Sequence, residues 1–147
     1  MKNIFFLSLF LVVAAFFSQT AKAQTEAQKI ELCTKVAGGS TLLNSYSIQL
    51  PAAKDGERQT PLRQALAIRK GNKYRFTVCT DEDSASEAIL TVYEEGKFLF
   101  SAQDSSGKIH QNVDFDCNKS AAYIISITFK DGKAGSAVVI VSHVKTL

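Results

Sequence analysis

Two periodicities divide the chain. Over residues 25–37 the apolar positions Ala27, Ile30, Cys33 and Ala37 recur at helical spacing, and beyond Ser40 the period falls to two. Thr25 and Gln28 fit a capping box, and Gly38-Gly39 supplies the left-handed conformation that ends a helix. A helix of about 25–37 is too short to be stable alone, so its apolar face is expected to dock on the rest of the domain.

The alternating segments follow in order. Tyr46, Ile48 and Leu50 alternate with Ser47 and Gln49, and Pro51 stops the run. A polar loop over 52–61 precedes a short strand carrying Leu66 and Ile68. The turn Arg69-Lys70-Gly71-Asn72 leads into Tyr74, Phe76 and Val78 on one side, with Arg75 and Thr77 on the other. After an acidic loop at 80–87, a strand over 88–93 meets the tight hairpin Glu94-Glu95-Gly96-Lys97 and returns through Phe98-Leu99-Phe100. Further strands are expected over 109–115, at Tyr123, Ile125, Ile127 and Phe129, and over 137–144. About eight short strands and one helix predict an all-β domain, a single antiparallel β-sandwich of jelly-roll type.

Upstream of the helix the pattern is of another kind. Lys2, a nearly unbroken apolar run over 4–17 and Ala21-Lys22-Ala23 form the grammar of a secretory signal peptide over 1–23. The run is short for a membrane span, which needs about 20 residues, so no membrane insertion is expected once it is removed. That leaves one exported domain over 24–147, periplasmic or extracellular. Without Lys2 and Lys22 the 17 basic residues fall to 15 against 14 acidic ones, so the charge implies no polyanion partner. The run Arg69, Lys70, Lys73 and Arg75 around Tyr74 reads as a solvated turn and strand face rather than a nucleic-acid stripe.

Lys73-Tyr74-Arg75-Phe76-Thr77-Val78, Ile89-Leu90-Thr91-Val92-Tyr93 and Ala122-Tyr123-Ile124-Ile125-Ser126-Ile127 resemble the bacterial pre-peptidase C-terminal type of β-sandwich. The resemblance implies an extracellular accessory domain that binds polysaccharide, calcium or protein. Over nearly the whole domain, Cys33 to Gly38, Tyr74-Arg75-Phe76 with Cys79, Phe115-Asp116-Cys117 with Lys119, and Phe129 to Lys133 resemble a group of small exported proteins of Bacteroidetes-type bacteria with no assigned function. That group often has a cysteine where this chain has Ser136, which implies that Cys33 has lost a partner here.

Three cysteines in an exported chain allow one disulfide. Cys79 and Cys117 each end a strand, which predicts a Cys79–Cys117 bridge and leaves Cys33 as a free, buried thiol. Parity opposes this pairing, since Cys79 follows the outward Arg75 and Thr77 while Cys117 follows the inward Val113 and Phe115. His110 and His143 lack the spacing of a zinc site, so no metal and no cofactor are expected. Asp81, Asp83 and Glu87 share a loop that offers calcium a set of oxygens, and Asp114 and Asp116 share a strand face. Asp83-Ser84-Ala85 is similar to the motif O-glycosylated on exported proteins of some Bacteroidetes-type bacteria, with Ser84 as acceptor. Tyr93, opposite in parity to Leu90 and Val92, is the candidate exposed aromatic for ligand contact. The reading is an exported, non-enzymatic binding module for a glycan or an envelope protein. The alternatives are an assembly subunit that pairs through a sheet edge, and a small enzyme or enzyme inhibitor.

Overall fold

The computed structural model describes residues 24–147, and the expected signal segment at 1–23 lies outside them. Helix α1 (Glu26–Ala37) precedes eight strands: β1 (Thr41–Leu50), β2 (Leu62–Ile68), β3 (Asn72–Thr80), β4 (Ala88–Glu94), β5 (Lys97–Ser101), β6 (Asn112–Cys117), β7 (Ala121–Phe129) and β8 (Gly135–Thr146). They form two four-stranded antiparallel sheets, ordered β1-β8-β3-β6 and β2-β7-β4-β5. The chain crosses between the sheets after each of β1, β2 and β3, pairs β4 with β5 by a hairpin, then crosses again after β5, β6 and β7. That order is the jelly roll.

Alternation dictates the core. Phe76 and Val78 of β3, Leu90 and Val92 of β4, and Tyr123, Ile125 and Ile127 of β7 point between the sheets and are buried. One side is closed by a chain of rings, Phe76 to Phe100 at 5.5 Å, Phe100 to Phe115 at 5.4 Å and Phe115 to Tyr123 at 5.8 Å.

Helix α1 starts as expected, with Thr25 accepting from the Gln28 amide and Gln28 reaching back. It lies on the outer face of β1-β8-β3-β6, where Cys33 and Ala37 pack on Val138 and Ile140. Its last carbonyls are held from the sheet: Arg75 Nη1 donates to Ala37 O at 2.9 Å and Asn112 Nδ2 to Val36 O at 3.1 Å. A cation at that end also suits the helix dipole. Near the other end Lys29 pairs with Asp81 at 2.7 Å, a contact that raises the lysine pKa.

The cysteine pairing differs from the expectation. The disulfide joins Cys33 to Cys79, and Cys117 is the free, buried thiol. The strand parity holds to the end of β3, so Cys79 points outward, beneath α1, where Cys33 meets it. Cys117 points inward and packs in the core, with its Sγ 3.2 Å from Lys119 O. Cys33 therefore lacks no partner.

Candidate functional site

The two outer faces of the sandwich are treated differently. Helix α1 covers part of one face, and paired charges occupy much of the rest of β3 and β6 there. Arg75 forks onto Asp114 at 2.6 and 2.9 Å, and Lys73 lies 3.3 Å from Asp116. The Arg75 guanidinium holds the Asp114 carboxyl below its ordinary range. The basic run and the acidic strand face thus neutralise one another across a β3–β6 register that sets Lys73 opposite Asp116 and Arg75 opposite Asp114.

Among the described residues no helix lies on the outer face of β2-β7-β4-β5. Its register aligns Ala65 with Ile124, Ile124 with Tyr93, and Tyr93 with Phe98, an apolar row across all four strands. The adjoining row is Arg63, Ser126, Thr91 and Ser101, and Ala67 lies opposite Ala122 on the other flank. Arg63 is the single charge in these rows. Tyr93 is half-buried, and its ring meets Phe98 edge-to-face at 6.3 Å. Phe98 is 64% exposed, the most exposed large apolar side chain among the described residues.

Local chemistry puts the two rings together. Glu95 and Gly96 adopt φ of 50° and 78°, the two-residue turn with both central residues left-handed that suits the twist of a hairpin. A two-residue loop sets Glu94 opposite Lys97 and therefore Tyr93 opposite Phe98. A bulge at Leu99 then restores the pairing of Val92 with Phe100. Sequence reasoning singled out Tyr93 and missed Phe98, although the hairpin length already placed both on one face.

The remaining candidates are engaged elsewhere. Asp81 is held by Lys29, and among the described residues no cluster of three metal-ligating side chains forms, so Asp81, Asp83 and Glu87 are not brought together as a calcium site. Asp81 and Glu87 border an open cleft of about 490 Å³ that Lys130 and Lys133 also line, and Asp83 lies outside it. Ser84 Oγ donates to Ser86 O at 2.7 Å and accepts from Ser136 N at 3.2 Å, which ties down the hydroxyl proposed as a sugar acceptor. His110 Nε2 lies 2.9 Å from Asp104, whose carboxylate also takes the Ser106 hydroxyl. These contacts depress the Asp104 pKa. The serine is bonded to the carboxylate and not to the imidazole, so the trio closes a turn and lacks the order of a nucleophilic triad. His143 contacts Asn72 at 3.1 Å and the edge of Tyr74. No helix among the described residues is long and apolar enough to cross a membrane.

No protein-family model matches the chain, and no curated protein matches it. Among solved structures the chain is similar to the Aeromonas hydrophila periplasmic inhibitor of g-type lysozyme, PliG. The match has 13% identity and a TM-score of 0.47, and covers 72% of this chain and 89% of that one.

Proposed function

We propose that this protein is an exported, non-catalytic binding module that docks an uncharged protein surface on the outer face of β2-β7-β4-β5. The observation that carries the reading is the open row Ala65, Ile124, Tyr93 and Phe98, apolar from one sheet edge to the other. Interface centres are depleted in charge and enriched in aromatics, and this row has both properties. A sugar would want a flat ring flanked by fixed polar groups. Here the two rings meet edge-on and their neighbours are small hydroxyls and alanines, which favours a protein over a glycan. The disulfide between α1 and β3 fits an oxidising, extracytoplasmic setting.

The test is site-specific. A photo-crosslinking residue at Phe98 is expected to give a discrete protein adduct in the envelope, and the same residue at Ser106, on a distant turn, none. Affinity for the protein so identified should fall roughly thirtyfold in Phe98→Ser, the ~2 kcal/mol of a hot-spot aromatic. A captured enzyme would make the module an inhibitor of it. Identical adducts from both positions, or a glycan adduct alone, would sink the proposal.

A further inference from the structure

Among the described residues four strands of the sandwich have an open edge, and three of them are blunted. β1 carries a register shift between Leu42 and Asn44, β5 is five residues long with a bulge at Leu99, and β6 is six residues long with Asp114 and Asp116 on it. Bulges, short length and charge are the devices that stop one sheet pairing with another. β2 is blunted least. Its seven residues pair with β7 without a register shift, contain no proline and carry one charge, Arg63. Arg63, Gln64, Ala65 and Ala67 are all exposed. The Gln64 side-chain amide donates to the Ala65 carbonyl at 3.3 Å, a weak local substitute for a neighbouring strand.

We propose that two copies of this chain pair antiparallel through their β2 edges about a twofold axis at Ala65, fusing their β2-β7-β4-β5 sheets into one of eight strands. An open strand edge is satisfied by another strand, and the sequence of β2 fits its own reverse. Side chains must keep to their own faces, so only registers that pair residues of equal parity are allowed. Among these the register centred on Ala65 overlaps all seven residues. It sets Leu62 opposite Ile68, Gln64 opposite Leu66 and Arg63 opposite Ala67 of the second copy, with no like charges opposed. The near-neutral domain adds no long-range repulsion. Closed twofold pairing also removes the exposed edge without generating a filament.

Edge pairing leaves the outer face free. The two apolar rows meet at Ala65 and run from Phe98 of one copy to Phe98 of the other, about 34 Å over seven strand spacings of ~4.8 Å. The pairing itself does not depend on the binding function proposed for that face; only the use of the doubled row rests on it.

Opposite charges at Ala65 test the register. Protein recovered after export to an oxidising periplasm is expected to sediment as a dimer. Ala65→Lys and Ala65→Glu each place like charges face to face at the axis and should sediment as monomers with unchanged circular dichroism. An equimolar mixture of the two should restore the dimer. Phe98→Ser should remain dimeric while losing the crosslinked partner, which separates failure of the face from failure of the edge. A monomeric parent protein, charged variants that stay dimeric, a mixture that stays monomeric, or a monomeric Phe98→Ser would each overturn the pairing.

Discussion

Gly135, the first residue of β8, packs against the ring of Phe129, the last residue of β7, and a β-carbon at Gly135 would overlap Cγ, Cδ1 and Cε1 of that ring. The contact sits where the chain turns between the sheets after the 3-10 turn Lys130–Gly132, beside the core. Gly135→Ala is expected to cost roughly 3 kcal/mol, the upper range for overpacking a filled site. Urea unfolding of the single variant and of Gly135→Ala with Phe129→Leu checks the cause. The second change should recover part of the loss, because the two residues share one volume. Additive losses would place the strain elsewhere.

The Cys33–Cys79 bridge closes a loop with a sequence separation of 46, for which the chain-entropy relation gives about 4 kcal/mol. Cys33→Ser and Cys79→Ser are expected to lose ~2–4 kcal/mol each, and the double variant no more than either alone. Thiol counting separates the pairings. Unfolded without reductant, the parent should show one thiol and Cys117→Ala none. Two thiols in Cys117→Ala would mean that Cys117 had been bridged.

Much of the fold was legible because alternation is a local signal. The inward faces of β3 and β7, the capping box at Thr25 and the hairpin at Glu95-Gly96 all follow from residues within a few positions of one another. The disulfide is a long-range fact, and strand ends attracted the wrong pair, although parity already put Cys79 on the outer face. A second clue lay in Ala137 to Val141, five apolar residues without alternation in an antiparallel strand. Such a run requires cover on both faces, and α1 provides the second cover over Val138 and Ile140. The apolar row of the candidate site is written on four separate strands. No single segment announces it, and it appears only once strand order and register are known.

Arg75 ties the pH dependence of the fold to the docking of α1. Its hold on Asp114 lowers that carboxyl's pKa, so the pair's stabilisation is complete above the ordinary value of 3.8 and is lost as pH falls below it towards the folded value. Asp114→Asn should therefore flatten stability below about pH 4. Near neutral pH it should cost little, ~1 kcal/mol or less for a partly exposed pair. Arg75→Ala should cost more, about 1–3 kcal/mol, because the Ala37 carbonyl also loses its charged donor. Arg75→Lys should recover little, since an ammonium cannot fork onto Asp114 and reach α1 together. Melting curves of the three variants from pH 3 to 7 decide it, and equal losses for Arg75→Ala and Asp114→Asn would deny Arg75 its part in holding the helix.

The hairpin that presents Phe98 has one ill-suited residue. Glu95 occupies a left-handed conformation at φ 50°, which asparagine adopts at lower cost, and Asn-Gly is the favoured pair for this turn. Glu95→Asn gives up an exposed contact to Lys119 at 2.8 Å, a type of pair that contributes little. The variant should therefore melt at a higher temperature than the parent. Gly96→Ala should melt lower, because alanine resists φ 78° even though nothing crowds that position. Since Tyr93 and Phe98 are placed by this turn, Glu95→Asn should leave partner affinity unchanged or raise it, whereas Gly96→Ala should weaken it along with stability. A Glu95→Asn protein that melted lower would mean that the Lys119 contact outweighs the turn, and the hairpin would then be held by charge rather than by backbone conformation.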